Sequence, residues 1–390
     1  MAKRRYDLDW LRALTVLVLI FFHTGMLFNE WAWHIKNAQV SVGITIFNAF
    51  VGQYQMPLLF MISGAGSWFA LGFRSGRQYL GERVRRLLVP LVFGTLFIVP
   101  PQIYLERISP PHPYSYGLSP LGRFHGSYLQ FWPRHMFDGG TYPAGNFSWH
   151  HLWFLAYLFV FSLLAVPLFT WLRSPRGQAR VAALAACCQR PGRLFLLALP
   201  LIAIEALLRP IWHGEQNLIN DWANFALYFT CFAYGYLVFS HQGFDRALAR
   251  HGWPALGLGV ATFLGAAALA LTDHAPGLGY SLPSLLWTAL HVFNSWCWIL
   301  AWFFLAQRLL NFTHRALPYV NEAVLPVYVL HQTVIVIIGF YLIQWPLPVA
   351  AKFPLVGLAA LATTLLVYDL LVRRLGPLRF LFGMKAKRPA

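Results

Sequence analysis

Arg12 and His23 lie in one apolar run, RRYDLDWLRALTVLVLIFFHTGMLF, eleven positions apart. At about 100° and about 1.5 Å per residue, that interval leaves them roughly 20° apart around a helix and about 16 Å apart along it. They share a face, three turns distant. A guanidinium and an imidazole at membrane depth are costly, so a functional role is the default reading of both. Asp9 stands one turn before Arg12 and can pair with it, lowering the cost of both charges. An imidazole so placed can be a general base toward a hydroxyl, provided a group donor and an acceptor come near it. The alternative is that Arg12 snorkels to the interface and His23 is a satisfied interhelical histidine.

Other residue types carry weaker signals. In GERVRRLLVP, Arg83 and Arg86 fall at i and i+3 with Arg85 between them, a spacing that can clamp phosphates. Positive charge that only marks the cytoplasmic side reads the same way. Ser63 in MISGAG is a conceivable nucleophile without an adjacent base, and the small residues around it equally suit close helix packing. Glu322 and His331 are nine positions apart, roughly 180° on an ideal helix, although Pro326 between them makes that angle indeterminate. Glu322 also reads as a helix-start residue facing a loop. His150, His151 and Trp153 open the fourth apolar run, where they can meet a sugar or belong to an interfacial aromatic belt. His112, His125 and His135 lack ligand spacing, no HExxH occurs, and the four cysteines form neither a metal pattern nor a disulfide framework. No metal is expected.

The elements that must position these residues follow from composition. Hydrophobic residues make up 58% of the 390 and charged residues 11%, against about 25% charged in a soluble domain. Ten apolar runs approach the roughly 20 residues that cross a bilayer, at about 8–28, 47–71, 87–105, 151–171, 194–212, 222–240, 253–272, 283–306, 322–344 and 353–372. The net charge of +17 is spread as short basic clusters between these runs, which reads as membrane topology and excludes a nucleic-acid module. With the N-terminus inside, 23 of the 30 Lys and Arg fall on the cytoplasmic side and six on the other, Arg12 lying within the first run. The expectation is an all-α integral membrane protein, a bundle of about ten transmembrane helices with both termini cytoplasmic. The first run lacks a cleavage site and reads as an uncleaved span. The one long connection, 106–150, falls outside, and connections of that length are more often functional or disordered than plain linkers.

In order along residues 5–375, RRYDLDWLRALTVLVLIFFHTGMLF, MPLLFMISGAGSWFA, ERVRRLLVP, HLWFLAYLFVF and VLPVYVLHQTVIV resemble the motifs of the membrane-bound acyltransferase 3 family. The WHIKN stretch, the single long loop before HLWFL and the lack of an appended soluble domain are most similar to its glucan-biosynthesis branch, whose type is a succinyltransferase acting on periplasmic glucans. The resemblance implies a transmembrane acyltransferase domain over residues 1–375 and a basic cytoplasmic tail over 376–390. It implies an O-acyltransferase of the bacterial inner membrane that moves a succinyl or acetyl group from cytoplasmic acyl-CoA to a hydroxyl of an extracytoplasmic glycan. His23 then matches the essential histidine, as general base or transient acyl carrier, and Arg12 its partner arginine. Arg83 and Arg86, with Arg85, match the paired-arginine motif at the donor phosphates. His331 matches a site-lining position, and His151 and Trp153 lie in the family-like HLWFL. The partners are acyl-CoA, a periplasmic glucan or other envelope polysaccharide, and the bilayer, with no prosthetic group and no nucleic acid. The roughly 16 Å between Arg12 and His23 suits an extended pantetheine arm. The rival is a transporter or flippase with a buried Arg/His relay, for which paired halves with broken helices would be expected.

Overall fold

The structure, a computed structural model, describes residues 4–116 and 119–385. These form helices and loops, with no β-strand among the described residues. In chain order the helices are α1 (Tyr6–Gly25), α2 (Val42–Leu71), α3 (Gly76–Ile108), α4 (His150–Leu172), α5 (Pro175–Cys188), α6 (Ala198–Leu208), α7 (Trp222–Val238), α8 (Gln242–Leu271), α9 (Leu282–Leu309), α10 (Leu317–Leu342), α11 (Val349–Val372) and α12 (Gly376–Leu381). Seven of them, α1, α3, α4, α8, α9, α10 and α11, are long and apolar enough to cross a membrane. The three other expected runs are helical too. α2 is long but carries Asn48, Gln53, Gln55, Ser63 and Ser67; α7 has 17 residues; α6 has 11 after a 3-10 turn at Arg193–Leu197. In α8 only 17% of the apolar window is covered by protein. An apolar helix left so bare needs lipid rather than water around it. The chain is an all-helical, multi-pass membrane protein.

Proline placement shapes these helices. Pro57 has no N–H, so the Gln53 carbonyl four residues earlier loses its helical donor, and Ser295 Oγ takes it at 2.7 Å. Pro100 frees the Leu96 carbonyl in the same way, and Trp132 Nε1 takes it at 2.9 Å. α3 also contains π turns at Val84–Leu88 and Gly94–Ile98. After the second, Gln102 N bonds Val99 O, and Ile98 O instead accepts from Thr333 Oγ1 at 2.6 Å. At these three places the carbonyl that the helix gives up is satisfied by a side chain from elsewhere in the fold.

The chain divides into two compact units. The first comprises the residues through Thr15, Gly52–Glu82 and Tyr157–Leu317. Its core is aromatic, with Phe60, Phe161, Phe169, Phe232, Tyr236 and Trp296 fully buried and Phe169 stacked on Tyr236 at 3.8 Å. Helices α2 and α7 meet here through glycine: a Cβ on Gly64 would overlap the Phe232 carbonyl, and one on Gly235 would overlap the Met61 carbonyl. MISGAG thus supplies a close helix crossing.

The second unit comprises Val16–Val51, Arg83–Ala156 and the chain from Pro318 onward. The long loop after α3 is firmly held. Arg107 donates to Asn146 Oδ1, Pro143 O and Gly145 O at 2.9–3.0 Å, and Phe124 N bonds Arg107 O. Lys36, in the α1–α2 connection, is buried and donates to Met26 O, Asn29 O and Asn29 Oδ1 at 2.7–2.8 Å. Within the expected basic tail, α12 is docked by Arg379, whose Nη2 donates to Glu322 Oε1 at 2.6 Å; residues 386–390 lie outside the described residues.

Candidate active site

In the second unit, α1 and α10 bring two imidazoles together. His23 Nδ1 lies 2.9 Å from His331 Nε2. His331 is fully buried and its Nδ1 lies 2.6 Å from the Tyr328 carbonyl. A carbonyl only accepts, so His331 Nδ1 carries the proton and, in the neutral ring, its Nε2 is the acceptor. His23 must then donate through Nδ1–H, which leaves its Nε2 with a lone pair. His23 is only half-buried, and its ring also meets the Leu19 carbonyl one turn earlier on α1. The arrangement is a base whose tautomer is set by a second imidazole and, behind it, a peptide carbonyl. A proton gained at His23 Nε2 makes an imidazolium whose charge His331 shares.

The polar residues around this pair are tied to one another. His151 Nε2 donates to Val329 O at 3.0 Å, its backbone carbonyl accepts from Tyr328 OH, and its ring stands edge-on to His331. Gln102 Nε2 donates to Thr333 Oγ1 at 2.6 Å, and Gln332 Nε2 donates to Gln102 Oε1 at 2.8 Å and approaches His34 Nε2 at 3.3 Å. His34 Nδ1 donates to Glu106 Oε2 at 2.5 Å. Glu106 also accepts from Tyr142 OH and from Arg107 Nη1 at 3.0 Å, so this buried carboxylate is fully paired. Burial and the adjacent Glu106 raise the Tyr142 phenol, keeping it a proton donor. His150 packs edge-on between His34 and Tyr142, its ring centroid 4.4 and 4.7 Å from theirs. Its backbone is left-handed at φ 38°, a strained setting for a non-glycine residue. Trp153 is buried at the start of α4.

The remaining expected residues of this unit lie at other places in it. Arg83 precedes the π turn Val84–Leu88 and Arg85 and Arg86 lie within it, both exposed. The widened turn means that i, i+3 spacing no longer places Arg83 and Arg86 on one face. Glu322 binds Arg379 and Tyr368 OH, about 13.5 Å along α10 from His331, and serves the docking of the C-terminal helix.

The first unit contains a cavity of about 790 Å³ walled by Arg4, Arg5, Arg12, Arg173, Trp68 and Phe69, among others. Asp9 Oδ1 lies 3.2 Å from Arg12, the pairing expected from the sequence, and Asp9 Oδ2 lies 2.9 Å from Arg4. Arg5 pairs with Asp7 at 2.8 Å and Asp245 at 3.1 Å. Ser63, in the same unit, donates its hydroxyl to Leu59 O at 2.8 Å within its own helix. The sequence reading missed Arg4, Arg5 and Arg173 as cavity walls, and His34, Glu106, Gln102 and Gln332 as neighbours of the histidine pair. Two signals were available: WHIKN contains His34, and HQT places three polar residues together in an apolar run.

A multi-pass helical protein that holds a tautomer-fixed imidazole base and an arginine-walled cavity has the parts of a membrane group-transfer enzyme. The chain matches the family described as "Acyltransferase domain" over residues 5–373 and belongs to it: it is a membrane acyltransferase. It is similar to the Glucans biosynthesis protein C of Salmonella paratyphi B, 25% identical, the match covering 87% of this chain and 85% of that protein. The protein of the same name from Salmonella schwarzengrund is also 25% identical, with 98% and 96% covered.

Proposed function

We propose that this acyltransferase moves an acyl group, succinyl or acetyl, from cytoplasmic acyl-CoA to a hydroxyl of an extracytoplasmic glycan such as a periplasmic glucan. The observation that carries the reading is the His23–His331 hydrogen bond, which leaves His23 Nε2 as a base. In the proposed step His23 Nε2 takes the acceptor's hydroxyl proton while that oxygen attacks the thioester carbonyl. The C–S bond breaks, and the proton passes from His23 to the departing thiolate, giving an O-ester and free CoA. The arginine-walled cavity supports a donor that carries phosphates, and its volume lies within the usual range of ligand sites. Arg12 stands on that wall. Arg83, Arg85 and Arg86 keep the donor-phosphate role that the family resemblance gives them, and His151 and Trp153 the acceptor side. The names of the relatives support the glucan. The basic-residue asymmetry supports a bacterial inner membrane location with both termini cytoplasmic.

The test is mass spectrometry of envelope glycans from cells making the wild type or His23→Ala at equal membrane abundance. An ester seen with the wild type and lost with His23→Ala is expected, its mass naming the acyl group. Equal ester in both would sink the mechanism.

A further inference from the structure

We infer that Arg173, stacked on Trp68, is the residue that recognises phosphate at the nucleotide end of the donor, so that the first-unit cavity selects acyl-CoA over an acyl-pantetheine. The inference rests on the acyl-CoA reading above and assigns a residue to it. Charge matching in the cavity singles this arginine out. Arg4, Arg5 and Arg12 are matched by three aspartates, Asp7, Asp9 and Asp245. Arg173 lines the same cavity and has no carboxylate partner among the described residues.

Its guanidinium is also held ready. The Cζ lies 4.3 Å from the Trp68 ring centroid, and Nη1 donates to the Trp68 carbonyl at 3.2 Å and reaches Tyr236 OH at 3.5 Å. Trp68 is itself fixed edge-on against Tyr236. The Nε and Nη2 edge makes no hydrogen bond among the described residues. Elsewhere in this unit that edge is the one that grips an anion: Arg209 holds Glu205 through Nε at 2.8 Å and Nη2 at 2.6 Å. A preoriented fork with its paired donors unused fits the oxygens of a phosphate ester bidentately, which an ammonium cannot reproduce. A lipid headgroup offers the same chemistry, so the experiment must separate the two sources.

The test compares acyl-CoA with the matching acyl-pantetheine, which has the same thioester and no nucleotide, in nanodiscs of zwitterionic phosphatidylcholine. The readout is the ratio of their KM values for the wild type, Arg173→Met and Arg173→Lys. The wild-type preference for acyl-CoA should fall by about 10- to 100-fold in Arg173→Met, the value of one charge-assisted contact, and by less in Arg173→Lys. Arg173→Lys keeps the charge and guards against misfolding of the Met variant. An unchanged ratio in both variants overturns the inference. So does a wild-type KM that is equal for the two donors in phosphatidylcholine and rises for both with anionic lipid, which assigns the site to a headgroup. A wild type that transfers from no acyl-CoA overturns the donor reading as well, whereas an unchanged ratio with active wild type leaves that reading standing.

Discussion

Replacing His331 by Gln and by Ala separates the part of the histidine pair that fixes a tautomer from the part that shares a charge. In His331→Ala the Nδ1–H of His23 loses the acceptor that now sits at 2.9 Å in a buried setting. An orphaned buried donor costs about 1–3 kcal/mol, and the lost charge-assisted contact to the imidazolium costs about 1.5–3 kcal/mol. Together these come to about 2.5–6 kcal/mol, or about 10²- to 10⁴-fold in kcat at about 1.4 kcal/mol per decade. In His331→Gln the amide oxygen can still accept from His23 Nδ1–H, so Nε2 stays the base, while the ring that shares the positive charge is gone. That variant should lose only about 10- to 100-fold. The assay is the initial rate of ester formation on the glycan in membrane vesicles with saturating donor, normalised to protein abundance. Equal loss in the two variants would refute the tautomer argument, and an Ala variant within a few-fold of wild type would refute any role for His331.

Two further outcomes test the fold. Gly64→Ala should lower the melting temperature of the purified protein, because its methyl would overlap the Phe232 carbonyl and α2 and α7 must part, at a cost of about 1–3 kcal/mol. An unshifted melting temperature would mean that the crossing is looser than described. Burial lowers Lys36 from 10.5 to about 7, although three carbonyl acceptors hold its charged form. The folded chain then binds this proton less tightly than the unfolded chain, so the contribution of Lys36 to stability is least below pH 7 and grows as pH rises toward 10.5. The wild type should gain thermal stability over Lys36→Met between pH 7 and 9; a shrinking difference would show that the carbonyls win.

The features that were legible in the sequence are those that repeat along a single helix. The Arg12 and Asp9 pair needed only the i, i+3 rule, and the apolar runs needed only length and composition. The packing role of Gly64 in MISGAG was legible from the small residues around it. His331 could not be placed against His23, because they lie 308 positions apart and Pro326 disturbs the helix between the usable landmarks. The His34 and Glu106 pair, 72 positions apart, is likewise a product of tertiary packing. The π turn at Val84–Leu88 widens the helix just where i, i+3 spacing assumes an α-helix, so the shared face of Arg83 and Arg86 did not follow from spacing. Arg173 looked like one of many topology-marking cations, and only its lack of a carboxylate partner sets it apart.

The proline-freed carbonyls have a consequence for how this protein can vary among its relatives. Pro100 and Trp132 are two halves of one device, as are Pro57 and Ser295. Losing the donor strands a carbonyl in a place without water, whereas losing the proline restores a helical N–H and leaves the carbonyl satisfied, since its oxygen can accept from both donors. The proline should therefore not be found without its donor, while the donor can be found without the proline. A chimera that exchanges the long loop containing Trp132 would need a donor of equal reach at that point, or a non-proline residue at position 100, to remain stable.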